Sequence, residues 1–192
     1  MKPNRFILVA ALFCLLLLGA CTPTGGSTGQ MSSGGQSGSQ AGVLSSFSAT
    51  DLEGNPVDQS VLANYDLTMV NVWATFCGPC INEMPDLGEI AAEYADEGVQ
   101  IIGLVTDVLD SDGSISDSQV ETAREIVNQT GANYLHLLPS DDLSGILSQI
   151  YAVPTTFFVN SEGVQVGSTI MSAQSKEAWI ETIDEMLVEV RA

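Results

Sequence analysis

The feature that most constrains the fold is a pair of cysteines at the junction of a buried strand and a helix. Residues 68–74 are mostly apolar and indicate a buried strand. Residues 84–94 place apolar side chains three and four positions apart, with acids between them, which is typical of an amphipathic helix. Cys77 and Cys80 stand where this helix begins. Unpaired N–H groups at a helix start favour thiolate over thiol, so the pattern predicts a reactive dithiol.

The spacing of the two cysteines argues against a purely structural disulfide. A bridge from Cys77 to Cys80 closes a very small loop and removes little chain entropy. One helical turn brings Cys80 back beside Cys77, so the pair can close an internal disulfide after either sulfur has reacted. Pro79 in the first turn loses no hydrogen bond, because its missing N–H would be unpaired there.

The first 20 residues indicate an export signal. Lys2 and Arg5 precede an uninterrupted apolar run of 15 residues, 6–20, which is too short to span a bilayer comfortably. The Leu-Gly-Ala-Cys sequence at 18–21 resembles the bacterial lipobox, in which cleavage precedes a cysteine that then carries lipid. We therefore expect Cys21 to be a lipid anchor in the membrane; the alternative is an ordinary secretory signal with an incidental Cys21.

Residues 22–42 predict a flexible tether. They contain seven Gly, five Ser, three Thr and three Gln and carry no charge. Such a segment cannot offset its ordering entropy, and its root-mean-square reach is roughly 25 Å. The expected organisation is a signal over 1–20, a lipidated cysteine and tether over 21–42, and one folded domain over 43–192.

The charge balance excludes a large class of partners. The chain has 24 acids and 5 bases, a formal net charge of −19. Once the signal is removed, only Arg124, Lys176 and Arg191 remain as bases. Nucleic-acid binding needs clustered Lys and Arg, so it is excluded, and docking on anionic lipid is disfavoured.

The remaining pattern predicts an α/β fold with a mixed central sheet and helices on both faces. A second strand after the amphipathic helix makes a βαβ unit. In chain order, the other expected elements are a hairpin over 47–57, a strand over 99–105, a helix over 117–130, a strand over 134–138, a helical turn over 143–150, strands over 155–160 and 164–169, and a helix over 179–190.

Three stretches of the chain resemble the thioredoxin superfamily, in particular its membrane-anchored TlpA/ResA-type thiol-disulfide oxidoreductases. They are Val-Trp-Ala-Thr-Phe-Cys-Gly-Pro-Cys over residues 72–80, then Glu83 and Pro85, then Val-Pro-Thr over residues 153–155. The resemblance covers residues 44–192. It implies a thioredoxin-like fold with an N-terminal hairpin and a central αβ insertion. It also implies no cofactor or metal beyond the redox-active disulfide of Cys77 and Cys80.

The resemblance also assigns roles to residues. Cys77 would attack a substrate disulfide, Cys80 would resolve the mixed disulfide, and Glu83 would relay a proton to or from Cys80. Thioredoxin has a buried aspartate where this chain has Asn71, which cannot titrate at neutral pH. The residues expected to contact substrate are Trp73, Phe76, Gly78, Pro79, Val153 and Pro154.

The roles expected for Pro154 and Glu83 each have an alternative interpretation. Pro154 would be the cis-proline that faces the disulfide and turns the backbone of Val153 toward an extended substrate; a trans proline at a strand start is the other interpretation. Glu83 could instead be a solvated carboxylate that supports the helix dipole.

The expected function is the reduction of exported protein disulfides. Thioredoxin carries the same Gly-Pro pair between its cysteines, and its potential of about −270 mV lies about 150 mV below that of the oxidant DsbA, roughly 7 kcal/mol. The implied substrates are apocytochrome c, methionine sulfoxide reductase or another exported thiol protein. A membrane thiol transporter is the implied electron donor, and a monomer is expected. The alternatives are a disulfide-forming oxidase and a redox-inactive binding lipoprotein.

Other cofactor and reaction classes fit poorly. A calcium loop around residues 110–115 would need ligands at Val108 and Gln119, which do not suit the metal. His136, the only histidine, is interpreted as a packed or edge residue and not as a ligand. Copper-delivery relatives of this fold space their cysteines by three residues. A peroxiredoxin needs Thr three positions before its reactive cysteine, whereas Thr75 is two before Cys77.

Overall fold

The computed structural model describes residues 42–192, which include a five-stranded sheet, an N-terminal hairpin and four helices. The expected signal over 1–20, Cys21, and all but the last residue of the expected tether lie outside the described residues. In chain order the elements are β1 Ser48–Thr50, β2 Pro56–Asp58, β3 Leu67–Trp73, α1 Gly78–Tyr94, β4 Val99–Val105, α2 Asp117–Thr130, β5 Leu135–Leu137, α3 Ser144–Leu147, β6 Thr155–Asn160, β7 Gln165–Ile170 and α4 Lys176–Val190.

The central sheet is mixed and has the strand order β5-β4-β3-β6-β7. Strands β3, β4 and β5 run parallel to one another, β6 runs antiparallel to β3, and β7 runs antiparallel to β6. Every residue of β3 is buried, as its apolar sequence predicted. The β1–β2 hairpin pairs separately, and the segment from α2 to β5 is the expected central insertion.

The two faces of the sheet are covered unequally. Alternate residues of β3 point to opposite sides, so Val70 and Val72 enter one apolar cluster while Met69 and Trp73 enter two others. The long helices α1, α2 and α4 cover the Met69 face, and the hairpin and the short α3 cover the Val70 face. Helices on both faces are therefore confirmed, with the long ones on a single side.

The position of α1 decides where the chemistry occurs. Helix α1 packs against α2 on one flank and α4 on the other. It begins five residues after the end of β3, so its first turn lies at the carboxyl edge of the parallel strands. Within residues 42–192, no helix is long and apolar enough to cross a membrane.

Candidate active site

The first turn of α1 is capped by one of its own cysteines. Cys77 is the N-cap residue, and the N–H of Cys80 points at Cys77 Sγ over 3.2 Å. The two sulfurs are bonded to each other, with their Cα atoms 5.3 Å apart. In the reduced protein the same N–H and the helix N-terminus favour a thiolate at Cys77.

The two cysteines differ in exposure. Cys77 retains 6% of its surface and Cys80 none. Gly78 and Pro79 between them are exposed, and Phe76 just before them is 78% exposed. An external disulfide can therefore reach Cys77, whereas Cys80 can react only with Cys77.

Glu83 lies one turn after Cys80, and its carboxyl group is buried. It is 3% exposed and is the only buried Glu among the described residues. Its Oε1 accepts from Asn71 Nδ2 over 3.0 Å, and its Oε2 accepts from the N–H of Gln174 and from Trp179 Nε1, each over 3.2 Å. Burial raises the pKa of Glu83 even though these three hydrogen bonds act to lower it. The alternative interpretation of Glu83 as a solvated carboxylate in the first turn is therefore wrong.

Asn71 donates a hydrogen bond to Glu83 and, being an amide, does not compete for its proton. Asn71 lies on β3, and its Nδ2 also donates to Thr156 Oγ1 over 3.0 Å. An aspartate at this position would place a second carboxylate against Glu83. With Asn71 there instead, Glu83 is the titratable group next to Cys80.

The loop before β6 packs through Val153 against the apolar cluster that contains both cysteines. The Val153–Pro154 peptide bond is cis, so the trans alternative is wrong. Val153 is half-buried and lines a groove together with Phe76, while Pro154 is buried. Phe76, Gly78, Pro79 and Val153 thus offer surface around the cysteines.

Trp73 requires a correction. Its expected contact with substrate is not available, because the side chain is fully buried beneath the active-site turn. The Trp73 indole N–H instead donates to His136 Nδ1 over 3.2 Å. Trp73 cannot reach a substrate because it lies in a strand that is buried at every residue.

His136 is a packed core residue, as expected. It is 2% exposed, and its Nε2 lies 3.0 Å from the carbonyl oxygen of Ala132. Because Trp73 donates to Nδ1, the proton of the neutral ring is on Nε2. Burial lowers the pKa of His136 to about 4, so the ring is neutral at pH 7.

Three contributors were missed by sequence reasoning. Asp107 follows β4 and accepts hydrogen bonds from the N–H and the hydroxyl of Thr75, the latter over 2.5 Å, so it fixes the turn before Cys77. A signal existed for Asp107, because parallel strands end at the same edge of the sheet. Gln174 and Trp179 lie 91 and 96 residues from Glu83 and carried no local signal.

Comparison with known proteins places the chain in a family. Residues 36–177 match the family described as Redoxin. The chain is a member of the Redoxin family. It is 29% identical over 131 residues to the thiol-disulfide oxidoreductase ResA of Bacillus thuringiensis strain Al Hakam, which covers 68% of this chain and 69% of ResA. It is 27% identical over 111 residues to the thiol:disulfide interchange protein DsbE of Yersinia pestis, covering 58% of this chain and 52% of DsbE.

Solved structures agree on the fold. A thiol:disulfide interchange protein of Chlorobium tepidum TLS superposes with a TM-score of 0.60 at 23% identity, covering 74% of this chain and 93% of that one. A secreted disulfide oxidoreductase of Mycobacterium tuberculosis gives 0.58 at 21% identity, covering 74% and 97%. The protein is thus a ResA/TlpA-type member of the thioredoxin superfamily and a thiol-disulfide oxidoreductase.

Proposed function

We propose that this oxidoreductase reduces disulfides of exported proteins, and that a lipid on Cys21 holds it on the extracytoplasmic side of the membrane. The observation that carries the proposal is the pairing of Cys77, which keeps some exposed surface, with the fully buried Cys80, one helical turn before the buried Glu83. This arrangement separates attack on a substrate from release of the product.

The first step is attack on the substrate. The Cys77 thiolate displaces one sulfur of the substrate disulfide, forming a mixed disulfide, and the displaced sulfur leaves as a thiolate that takes a proton from water. Only Cys77 can perform this step, because Cys80 has no exposed surface.

The second step resolves the mixed disulfide. Glu83 in its carboxylate form accepts the proton of the Cys80 thiol, and the resulting thiolate attacks Cys77 Sγ. The second substrate sulfur leaves as a thiolate and is protonated. The substrate has then gained two electrons and two protons, and the protein holds the Cys77–Cys80 disulfide.

The Gly78-Pro79 pair supports the reducing direction. Thioredoxin has the same pair and a potential of about −270 mV, whereas the oxidant DsbA stands at about −120 mV. A disulfide-forming oxidase remains the competing function, since it uses the same exchange steps in reverse.

The reducing direction of the exchange determines which substrates and which electron donor the protein needs. The relatives named for thiol-disulfide exchange support protein substrates, and apocytochrome c or methionine sulfoxide reductase would suit a role in cytochrome c biogenesis or repair. The oxidised protein must be recharged, and a membrane thiol transporter would supply the electrons. The acidic domain, with all 24 acids of the chain, excludes nucleic acid as a partner.

The direction is tested by the reduction potential of the full chain. We expect equilibration with dithiothreitol buffers to give a value near that of thioredoxin, with Cys77 and Cys80 reduced in cells. A potential near that of DsbA, with the pair oxidised in cells, would support an oxidase. A pair that stays oxidised and never turns over would support the binding lipoprotein.

Trapping identifies the substrates. We expect Cys80→Ser to accumulate exported proteins as mixed disulfides on Cys77, whereas Cys77→Ser is the matched control and should trap none. Adducts that form on Cys80 in the control would contradict the assigned order of attack. In the same cells, Cys21→Ser should release the protein from the membrane fraction; retention would contradict the anchor.

A further inference from the structure

Most of the exposed large apolar side chains of the described domain line two grooves, one of which includes Phe76 next to Cys77. Eight large apolar residues are exposed, and five of them line two grooves: Val43, Phe76, Leu109, Tyr151 and Met171. Scattered exposed apolar residues are ordinary, but a cluster in grooves marks a binding surface.

The two grooves meet at Tyr151. The disulfide groove, lined by Phe76, Leu109 and Val153 among others, has a volume of about 360 Å³ and includes Phe76, the residue before Cys77. The distal groove, lined by Val43, Phe157 and Met171 among others, has a volume of about 200 Å³. Tyr151, which is 83% exposed, and Ile150 line both, so the two grooves are adjacent at these residues.

The boundary between the two grooves lies close in sequence to the loop that contains Val153. Tyr151 precedes Val153 by two residues. Both residues line the disulfide groove, and a substrate in β conformation advances about 3.3 Å per residue, so a side chain a few residues from its reacting cysteine can reach Tyr151. Tyr151 also lines the distal groove.

The charges of the domain restrict the kind of segment that can bind in the distal groove. Arg124, Lys176 and Arg191 are the only cations in residues 42–192, and each is already bound to a carboxylate of this chain. Asp110 follows Leu109 at the rim of the disulfide groove. An acidic segment would therefore be repelled, and a second copy of this acidic chain would be as well.

We propose that the distal groove is a side-chain subsite of the substrate interface. It holds one large apolar side chain of an extended, non-acidic protein segment, two to five residues from the substrate's reacting cysteine. The inference rests on the proposed function, because it assigns the kind of segment on which the dithiol acts.

The test uses the reduced full chain and ten-residue alanine-based peptides. Each peptide has one cysteine joined by a disulfide to 2-nitro-5-thiobenzoate and a single Leu at one position from two to five residues before or after that cysteine. We expect Leu at one of these positions to raise the second-order rate constant for oxidation of the reduced chain about ten-fold over the all-alanine peptide, the order of magnitude for burying such a side chain. Equal rates for all peptides would overturn the subsite.

A charge placed in the groove should remove the preference. Met171 and Val188 are both exposed, at 59% and 72%, but only Met171 lines the distal groove. We expect Met171→Asp to lower the ratio of Leu-peptide to alanine-peptide rates to about one, whereas Val188→Asp, the matched control, keeps the wild-type ratio. A preference that survives in Met171→Asp would overturn the proposal.

Other occupants give different results. If deletion of residues 22–41 creates or enlarges the Leu preference, that segment of the chain occupies the groove. If the wild type is a dimer and Met171→Asp is a monomer, a second copy occupies it; either result overturns the substrate subsite. Failure of the wild type to reduce Ellman's reagent, a disulfide without a peptide, would refute the dithiol function itself, so the two failures are distinguishable.

Discussion

Glu83 and His136 are two buried titratable side chains on the helix-covered face of the sheet, and they differ in what their surroundings permit. Burial moves both pKa values toward the neutral form: that of Glu83 is raised, and that of His136 is lowered to about 4. All three partners of Glu83 donate to it, which suits a carboxylate. His136 accepts at one nitrogen and donates from the other, which only a neutral ring can do. Burial alone therefore does not enable a side chain to transfer protons. The side chain also needs hydrogen bonds that accommodate its charged form.

The two side chains also affect stability with opposite signs. As pH rises above 4.5, the ordinary value, the unfolded chain ionises its glutamate before folded Glu83 does, so folding loses stability until the raised pKa is passed. As pH rises from about 4 to 6.5, the unfolded chain releases a histidine proton that folded His136 has already lost, so folding gains stability.

The largest expected effect is the loss of rate in the Glu83→Gln variant. The amide cannot accept the Cys80 proton, so resolution of the mixed disulfide should slow about 100-fold or more, the range for loss of a general base. The pH dependence of resolution should also flatten. Stopped-flow measurement of single-turnover resolution from pH 5 to 9 checks both.

Glu89→Gln is the matched control. Glu89 lies on the same helix but is exposed and pairs with Lys176 over 2.7 Å. Its loss should leave the rate and the pH profile unchanged. An unchanged profile in Glu83→Gln would remove the proton role.

The next largest effect is on the pH dependence of stability in His136→Gln. The difference between 6.5 and about 4 corresponds to about 3 kcal/mol of unfolding free energy gained by the wild type across that range. His136→Gln should lose this gain, because glutamine does not titrate. Denaturant unfolding at pH 4 to 7 measures it, and the slope with pH is the readout whatever the overall stability. A slope equal to that of the wild type would contradict a neutral buried ring.

The sequence predicted the elements because their patterns are local. The bounds of β4, α2 and β6 agree with the structure, since each is an apolar or amphipathic run bordered by turn residues. Cys77 and Cys80 were identified for the same reason. The partners of Glu83 were not, because Gln174 and Trp179 come from α4 and the segment before it, which meet α1 only in the folded chain. Trp73 was misassigned because a residue next to a reactive turn can still point into the core.

A smaller effect is expected at Gly103, which makes room for His136. A Cβ at Gly103 would lie 2.1 Å from His136 Nδ1, too close for any real contact. Gly103→Ala should therefore lower the free energy of unfolding by about 2 kcal/mol, as overpacking of a core does. Gly145→Ala is the control, because nothing lies within 4 Å of its Cβ. Equal stability of the two variants by urea unfolding would contradict this position of the ring.

The smallest effect separates two buried tryptophans that each donate to one of the compared groups. Trp179→Phe removes a donor from Glu83 and should raise the pKa of its carboxyl further, so resolution requires a higher pH and slows by less than ten-fold at neutral pH. Trp73→Phe removes the donor to His136, which is neutral and takes no part in the reaction, so the pH profile should not move even if stability falls. Both side chains are fully buried, which matches the two variants for packing. Equal displacement of the pH–rate profile in the two would mean that packing beneath the disulfide, and not the hydrogen bond to Glu83, sets the protonation of the site.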